Sequence, residues 1–543
     1  MGEPLLHGLM MDDYPLSLTT VVERAEQLTP TRKVVYRRPD GNVHRTTMGD
    51  CARRARRLAA GLKDLGIGEG DRVGTLMWNQ PEHLEAYYGV PSMGAVVHTL
   101  NPRLHPDELG FIAGDAEDRA IIVDESLLQV LESFRAAHDF EHVIVVMSEN
   151  PTHPVPDGAI AYESLIEGAE AMEWPGRHER RAAAICYTSG TTGRPKGVLY
   201  SHRALVLHSM GAALPDAMNV SSRDTVLPVV PMFHANAWGI PYTATMTGAS
   251  LVLPGPKLDG ESVLDLLADE KVTLTAGVPT VWMAMLKAIE DEPQRWDLSS
   301  LRRLLVGGSA VPKTMIEGYQ RHDLFIVQGW GMTETSPLAS TSIVPPELDD
   351  ASPDEQFDYR ARQGIPAPFV DIRARGDDGE LIPWDDEAMG ELEVRGPWVA
   401  AAYFQGTGAE KFTDDGWFQT GDVVKIDSRG SIRITDRSKD LVKSGGEWIS
   451  SVDMENLLMG HPAVAEAAVI AVPDDKWDER PMAIVVLKGG AEATADDLRE
   501  HLSGHFAKWQ LPERVEFIDE IPRTATGKFK KTALREQFVK TPA

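Results

Sequence analysis

Thr188-Ser189-Gly190-Thr191-Thr192-Gly193-Arg194-Pro195-Lys196-Gly197 stands directly after the apolar run Ala184 to Tyr187. Its three glycines let backbone amides converge, its four hydroxyls can donate to oxyanions, and Arg194 and Lys196 add positive charge. That combination suits a polyphosphate. It is not the Walker pattern, because no Gly-Lys-Ser/Thr closes the segment at the required spacing. Taken alone, the same residues also fit a plain polar turn, so the reading depends on what surrounds them.

On both sides of this turn, short apolar runs alternate with helix-length segments. Strands are expected at Arg72 to Trp78, Ala95 to Leu100, Ala120 to Asp124, His142 to Met147 and Ala184 to Thr188. More are expected at Thr225 to Pro231, Leu251 to Leu253, Val272 to Ala276, Arg303 to Val306 and Phe325 to Gln328. Near-continuous apolar runs spaced in this way predict parallel sheets covered on both faces, an α/β architecture. Cys51, Ala55, Leu58, Leu62 and Leu65 recur at helical steps up to Gly66 and Gly68, with Arg53, Arg54, Arg56 and Arg57 largely opposite as a solvated face.

Pro345 to Gln363, rich in Pro, Asp and Glu, reads as a surface excursion. Beyond it Asp371 to Ala374, Glu391 to Arg395 and Ile432 to Thr435 read as shorter strands of a small barrel or antiparallel sheet. Strands at Ala468 to Val472, Ala483 to Leu487 and Val515 to Ile518, with a helix from Ala495 to Phe506, form a separate α+β unit. The expected fold class is α/β. A large N-terminal domain over residues 1–435 holds two α/β sheet subdomains and a small β-barrel-like subdomain. A connector at 436–441 leads to a small α+β C-terminal domain over 442–543.

Of 543 residues, 54 are Lys or Arg and 82 are Asp or Glu, a formal net charge of −28. So negative a surface opposes non-specific contact with nucleic acid or anionic membrane, and an anionic ligand would need donors and cations supplied locally. Cys51 and Cys186 are too few for a disulfide framework or a zinc site and fit a reducing, cytoplasmic setting. No apolar run approaches the ~18–20 residues of an integral membrane segment. The N-terminal Leu5, Leu6, Leu9 and Met10 lack a basic lead and meet Asp12 and Asp13, a poor signal peptide.

Four more segments follow the opening turn in order. Gln328-Gly329-Trp330-Gly331-Met332-Thr333-Glu334 offers a flat aromatic, open backbone and a carboxylate. Thr420-Gly421-Asp422 places an acid where a ribose diol could be held. Asp436-Arg437-Ser438-Lys439-Asp440 leads into Lys443-Ser444-Gly445-Gly446-Glu447-Trp448, and Pro522-Arg523-Thr524-Ala525-Thr526-Gly527-Lys528 comes near the end. With these segments in this order, nearly the whole chain resembles the adenylate-forming superfamily of acyl-CoA synthetases, luciferases and peptide-synthetase adenylation domains. Pro231-Met232-Phe233-His234-Ala235-Asn236-Ala237-Trp238 and Lys443 to Ser451 look most like bacterial medium- and long-chain fatty acyl-CoA synthetases.

The resemblance implies an AMP-forming acid:CoA ligase that uses ATP, Mg²⁺ and coenzyme A. Thr188, Ser189, Gly190, Thr191, Thr192, Gly193, Lys196 and the stretch Gln328, Gly329, Trp330, Gly331, Met332, Thr333 and Glu334 would bind ATP. Asp422 and Arg437 would take its ribose, Trp330 would stack near adenine, and Thr188 and Glu334 would hold Mg²⁺. Lys528 would bridge the acyl carboxylate and the α-phosphate, while its neighbours Lys530 and Lys531 read as a solvated basic tail. His234, Trp238, Gly307, Gly308 and Ser309 would line the acyl site, and a mobile C-terminal domain would turn about Lys439. Lys443, Ser444, Gly445, Gly446 and Trp448 would then reach CoA. A homodimer is implied by the same likeness. An aryl, short or sulfur-containing acid, or a luciferase-like adenylating oxygenase, stays open as an alternative. Where family members usually have Tyr, Trp330 keeps the flat surface and lacks the hydroxyl. An amino-acid substrate is disfavoured, since no Asp stands early in Phe233 to Trp238.

Overall fold

A computed structural model describes residues 11, 14–148, 151, 154–176, 178–188, 194–309, 311–444, 447–474, 477–524 and 528–539. Among these, the chain folds into four sheets. The first runs in the order Ile160–Ala161, His142–Val146, Asp118–Asp124, Arg72–Leu76, Val96–Thr99, Ala182–Tyr187, Gly197–Ser201. Every neighbour pair is parallel except the last, a hairpin that pairs Tyr187 with Gly197. The segment from Thr188 to Lys196 therefore connects the two strands of that hairpin.

The second sheet has Ile365–Pro366, Leu338–Thr341, Ile326–Gly331, Arg303–Val306, Leu274–Gly277, Thr225–Pro228 and Ser250–Leu253 in spatial order, then Lys33–Arg37 and Val43–Thr47. Each strand expected from the apolar runs is present. The hairpin Lys33–Arg37 and Val43–Thr47 was not anticipated: it joins the sheet edge by setting Val34 beside Leu251, a pairing across more than 200 residues that no local pattern announces. The helix Pro81–Ser92 is buried along its whole length, Glu82, His83 and Glu85 included.

The barrel-or-antiparallel-sheet expectation resolves as a four-stranded antiparallel meander of Asp371–Arg375, Gly390–Arg395, Phe418–Ile426 and Ile432–Arg437. The nine-residue strand Phe418–Ile426 carries Asp422 opposite Arg437, so the last strand runs on into the expected connector. Pro345 to Gln363 is not a plain surface excursion. It contains the helix Pro353–Arg360, which buries Tyr359 and Arg360, and Gln363 is tied to Ser340 and Ile434. The helix Met48–Asp64 buries Cys51, Ala55, Leu58 and Leu62 as its periodicity predicts. On its other face, however, Arg54 reaches the buried Glu85 carboxylate at 2.7 Å instead of standing free in water.

The three N-terminal sheets share one apolar core, joining Val73 and Ala184 of the first to Leu251 and Leu274 of the second and Leu392 and Val424 of the third. Residues beyond 441 pack instead into two cores of their own, around Val442, Leu458, Val469 and Val485 and around Ile470, Ile484, Ile521 and Leu534. Burial of apolar area stabilises each unit by ~25 cal/mol per Å², so a unit with a separate core can move as a body. The Lys443-Ser444 hairpin, the strands Val464–Asp474 and Asp478–Leu487 and the parallel Arg514–Phe517 form its sheet.

Candidate active site

Thr188 closes the first sheet's hairpin. Its amide donates to Lys196 O at 3.0 Å and its hydroxyl accepts from Lys196 N at 3.1 Å, so these two residues face each other across the base of the loop. Ser189, Gly190, Thr191, Thr192 and Gly193 lie outside the described residues. Arg194 stacks over Phe111 at 5.1 Å. Thr188 also lines a small cleft with Asn101, Phe233 and His234.

Asn79, which sequence reasoning missed, shapes the loop leading to His234. Its side-chain amide donates to Pro228 O and Val230 O at 2.9 and 3.0 Å and accepts from Met232 N at 2.7 Å. Buried polar groups seek such complete pairing, but a lone Asn after a strand carries no sequence signal of it. The backbone then turns left-handed through Ala235, Asn236, Ala237 and Trp238 and on through Gly239, with φ between 41° and 71°. Non-glycine residues in this region cost roughly 1–2 kcal/mol each. The turn is held partly by the Cys186 thiol, which donates to Asn236 Oδ1 at 2.9 Å. It carries the Trp238 ring to Gly307, where a Cβ would stand 3.1 Å from the indole.

From the second sheet, Gln328, Gly329, Trp330 and Gly331 lie on the strand Ile326–Gly331, followed by Met332, Thr333 and Glu334. Trp330 is buried, and its indole N–H donates to Asp422 Oδ2 at 3.0 Å while Arg437 Nε contacts the other carboxylate oxygen at 2.6 Å. The hydroxyl lost relative to tyrosine is thus replaced by an indole donor, and Trp330 acts first on the ribose-binding candidate. Glu334 is buried; Tyr403 donates to its Oε1 at 2.5 Å, and Oε2 has no partner among the described residues.

Lys528, from the C-terminal unit, has its side chain beside Gly308. Burial, and then the nearby Arg437 cation, push its ammonium down to about 8, while Asp422 and Glu334 pull the other way. Burial of the ring, and then the same ammonium, hold His234 down at about 4. The Lys528 ammonium therefore feels charges from three other separated motifs, and His234 feels the ammonium. Gly308 and Ser309 are exposed beside them.

The proposed CoA group lies elsewhere. Lys443 pairs with Asp377 at 3.7 Å and lies over Trp448 at 5.5 Å, Ser444 is buried near Arg480, and Gly445 and Gly446 lie outside the described residues. Lys439 is exposed. Around it, Asp436 accepts from Ser451 N at 2.9 Å, Ser450 donates to Thr435 O at 2.5 Å, and Arg535 pairs with Asp440 at 2.6 Å. Lys530 is exposed, but Lys531 is no solvated tail. Its ammonium is 2.6 Å from Glu455 with both side chains nearly buried, because the helix Lys531–Phe538 packs Leu534 into the C-terminal core.

Among the described residues no helix is long and apolar enough to cross a membrane, and no three His, Cys, Asp or Glu side chains gather as a metal cluster. The family model for AMP-binding enzymes matches residues 22–404, and that for the AMP-binding enzyme C-terminal domain matches 453–528. A long-chain-fatty-acid–CoA ligase of Thermus thermophilus is 49% identical over 97% of this chain and 96% of its own length. A medium-chain-fatty-acid–CoA ligase of Ectopseudomonas oleovorans is 42% identical over 98% and 97%. The crystal structure of the anthranilate CoA ligase AuaEII with anthranoyl-AMP superposes with a TM-score of 0.86 at 27% identity, covering 97% of this chain and 99% of that one. By its two family matches and its relatives, the chain belongs to the AMP-binding enzyme family.

Proposed function

We propose that this chain is an ATP-dependent acid:CoA ligase that activates a medium- or long-chain fatty acid as an acyl-adenylate and passes the acyl group to CoA. The observation that carries it is the Lys528 side chain, which comes from the C-terminal unit to Gly308 with its ammonium within electrostatic reach of Asp422, Arg437, Glu334 and His234. In the first half-reaction the acid's carboxylate oxygen attacks the α-phosphorus and pyrophosphate leaves. A compact cation between two anions offsets their repulsion and meets the charge that grows on the non-bridging oxygens. Asp422, held by Trp330 and Arg437, presents its carboxylate to the ribose hydroxyls. His234 stays neutral at working pH and lines the cleft without adding charge.

The open oxygen of Glu334 and the hydroxyl of Thr188 are hard donors that fit Mg²⁺, which takes oxygen ligands and keeps water and phosphate as the remainder. When bound, the ion would neutralise phosphate charge; Thr188 and Glu334 are the residues that would hold it. The acyl tail is assigned to the apolar side of the cleft at Trp238 and Gly307. The separate C-terminal cores support a domain division at 1–435, 436–441 and 442–543, with rotation about Lys439 withdrawing Lys528 and bringing Lys443 to Trp448 toward the thiol. The thiolate then attacks the acyl carbonyl and AMP leaves. A cytoplasmic setting and a homodimer belong to the same reading, to be checked by fractionation and light scattering.

The test is a panel of carboxylic acids of graded length with ATP, Mg²⁺ and CoA, following AMP and thioester together with exchange of labelled pyrophosphate into ATP. Medium or long straight chains should give the highest kcat/KM. Preference for aromatic, short or sulfur-containing acids would overturn the substrate class, and absence of exchange with every acid would overturn the chemistry.

A further inference from the structure

Between the strands Gly390–Arg395 and Phe418–Ile426 the chain leaves the third sheet and crosses to the cleft. Tyr403 lies on this excursion, buried, and its phenol donates to Glu334 Oε1 at 2.5 Å. Ala400 N binds the Glu334 backbone oxygen at 2.7 Å, so the excursion grips this residue at both ends. The Tyr403 ring packs edge-on against Phe412 and Phe418, with centroids 5.6 and 6.3 Å away. Over the same ring stands the Lys196 ammonium, 5.0 Å from its centroid. Gly408 makes room for this: a Cβ there would come within 2.7 Å of Lys196 Nζ and 3.0 Å of Tyr403 Cδ2. One side chain of this excursion therefore touches a carboxylate that follows a strand of the second sheet and a cation on the hairpin of the first.

We propose that Tyr403 is a positioning residue for adenylation, its phenol fixing the Glu334 carboxylate and its ring holding the Lys196 ammonium over the same space. The proposal rests on the reading of Glu334 given above. A carboxylate with one oxygen occupied by a fixed donor keeps the other in one orientation, and an ammonium held on a ring gives up less rotamer freedom when a phosphate arrives. Tyr403 acts through both groups.

The experiment compares full-length wild type with Tyr403→Phe, Tyr403→Leu and Glu334→Gln. Four quantities are read: pyrophosphate exchange as a function of ATP, equilibrium ATP binding with and without Mg²⁺, thioester formation from supplied acyl-adenylate, and the thermal midpoint. Loss of a donor to a carboxylate predicts that Tyr403→Phe lowers exchange kcat/KM by about tenfold to a hundredfold and weakens the Mg²⁺-dependent part of ATP binding, with thioester formation within about twofold of wild type. Tyr403→Leu should further lose metal-free ATP affinity, since Lys196 no longer has its ring. Wild-type exchange and binding in Tyr403→Phe, or equal loss of both half-reactions, overturns the proposal alone when Glu334→Gln abolishes exchange. Exchange that survives Glu334→Gln removes the reading of Glu334 and the proposal with it.

Discussion

Lys528 in the free enzyme gives up its proton at about 8 instead of 10.5, because burial strips the ammonium of water and Arg437 repels it. At pH 7 roughly ten ammonium groups are charged for each neutral one, and at pH 9 the ratio is inverted. Adenylation needs the charged form. The kcat/KM for pyrophosphate exchange, which reports groups of the free enzyme, should therefore fall toward about tenfold per pH unit above pH ~8. In Lys528→Arg the guanidinium does not titrate below pH ~12, so exchange should be weaker throughout but flat across that range. Thioester formation from supplied acyl-adenylate should be alike in the two proteins. The assay is exchange of labelled pyrophosphate between pH 6.5 and 9.5, and an alkaline limb near pH 8 that survives in Lys528→Arg would refute the argument. The same shift has a cost in stability. Between pH 8 and 10.5 the unfolded chain holds the proton that the native state has lost, so stability rises with pH across that window, and below pH 8 the whole penalty is present. The gap between the two values corresponds to at most about 3 kcal/mol. Lys528→Met should abolish exchange while raising the thermal midpoint at pH 7, and a lowered midpoint would count against the buried charge.

Gly307→Ala would put a methyl 3.1 Å from the Trp238 indole and 2.9 Å from Gly329 O, so its chain-length profile should move toward shorter acids. An unchanged profile would place the tail elsewhere. Asn79→Ala orphans two carbonyls and an amide at the His234 loop, which should destabilise the protein by about 2–4 kcal/mol in urea unfolding and raise KM for the acid. His234 is held at about 4 against an ordinary 6.5, so the unfolded chain takes up its proton first as pH falls. Its share of stability should be lost from pH 6.5 down toward 4, and thermal midpoints of wild type and His234→Asn should converge across that window. Lys531→Met leaves Glu455 without its cation and should cost about 3–5 kcal/mol in the unfolding of the C-terminal unit, where a solvated residue would change it by less than about 0.5 kcal/mol.

Parallel strands of the two large sheets were legible because strands buried on both faces must be apolar at nearly every position, as Ala184 to Tyr187 and Arg303 to Val306 are. The strand Phe418–Ile426 was not, since Lys425 and the buried Asp422 interrupt its apolar residues and Thr420-Gly421-Asp422 reads first as a turn. Lys531 was misread for a related reason: a lysine next to Lys530 looks solvated until a carboxylate 76 positions earlier comes to meet it.

Residue types and their order along the chain were enough to declare phosphate chemistry, the α/β class and the family, because hydroxyls, glycines, carboxylates and cations have few other reasons to appear in that succession. What the linear order could not contain is who faces whom. The Asn79 clamp, the indole of Trp330 on Asp422, the left-handed turn that aims Trp238 and the phenol of Tyr403 on Glu334 join residues dozens to hundreds of positions apart. Their partners are selected by packing of three sheets around one core, and such pairings acquire their energy only once water has been expelled from between them.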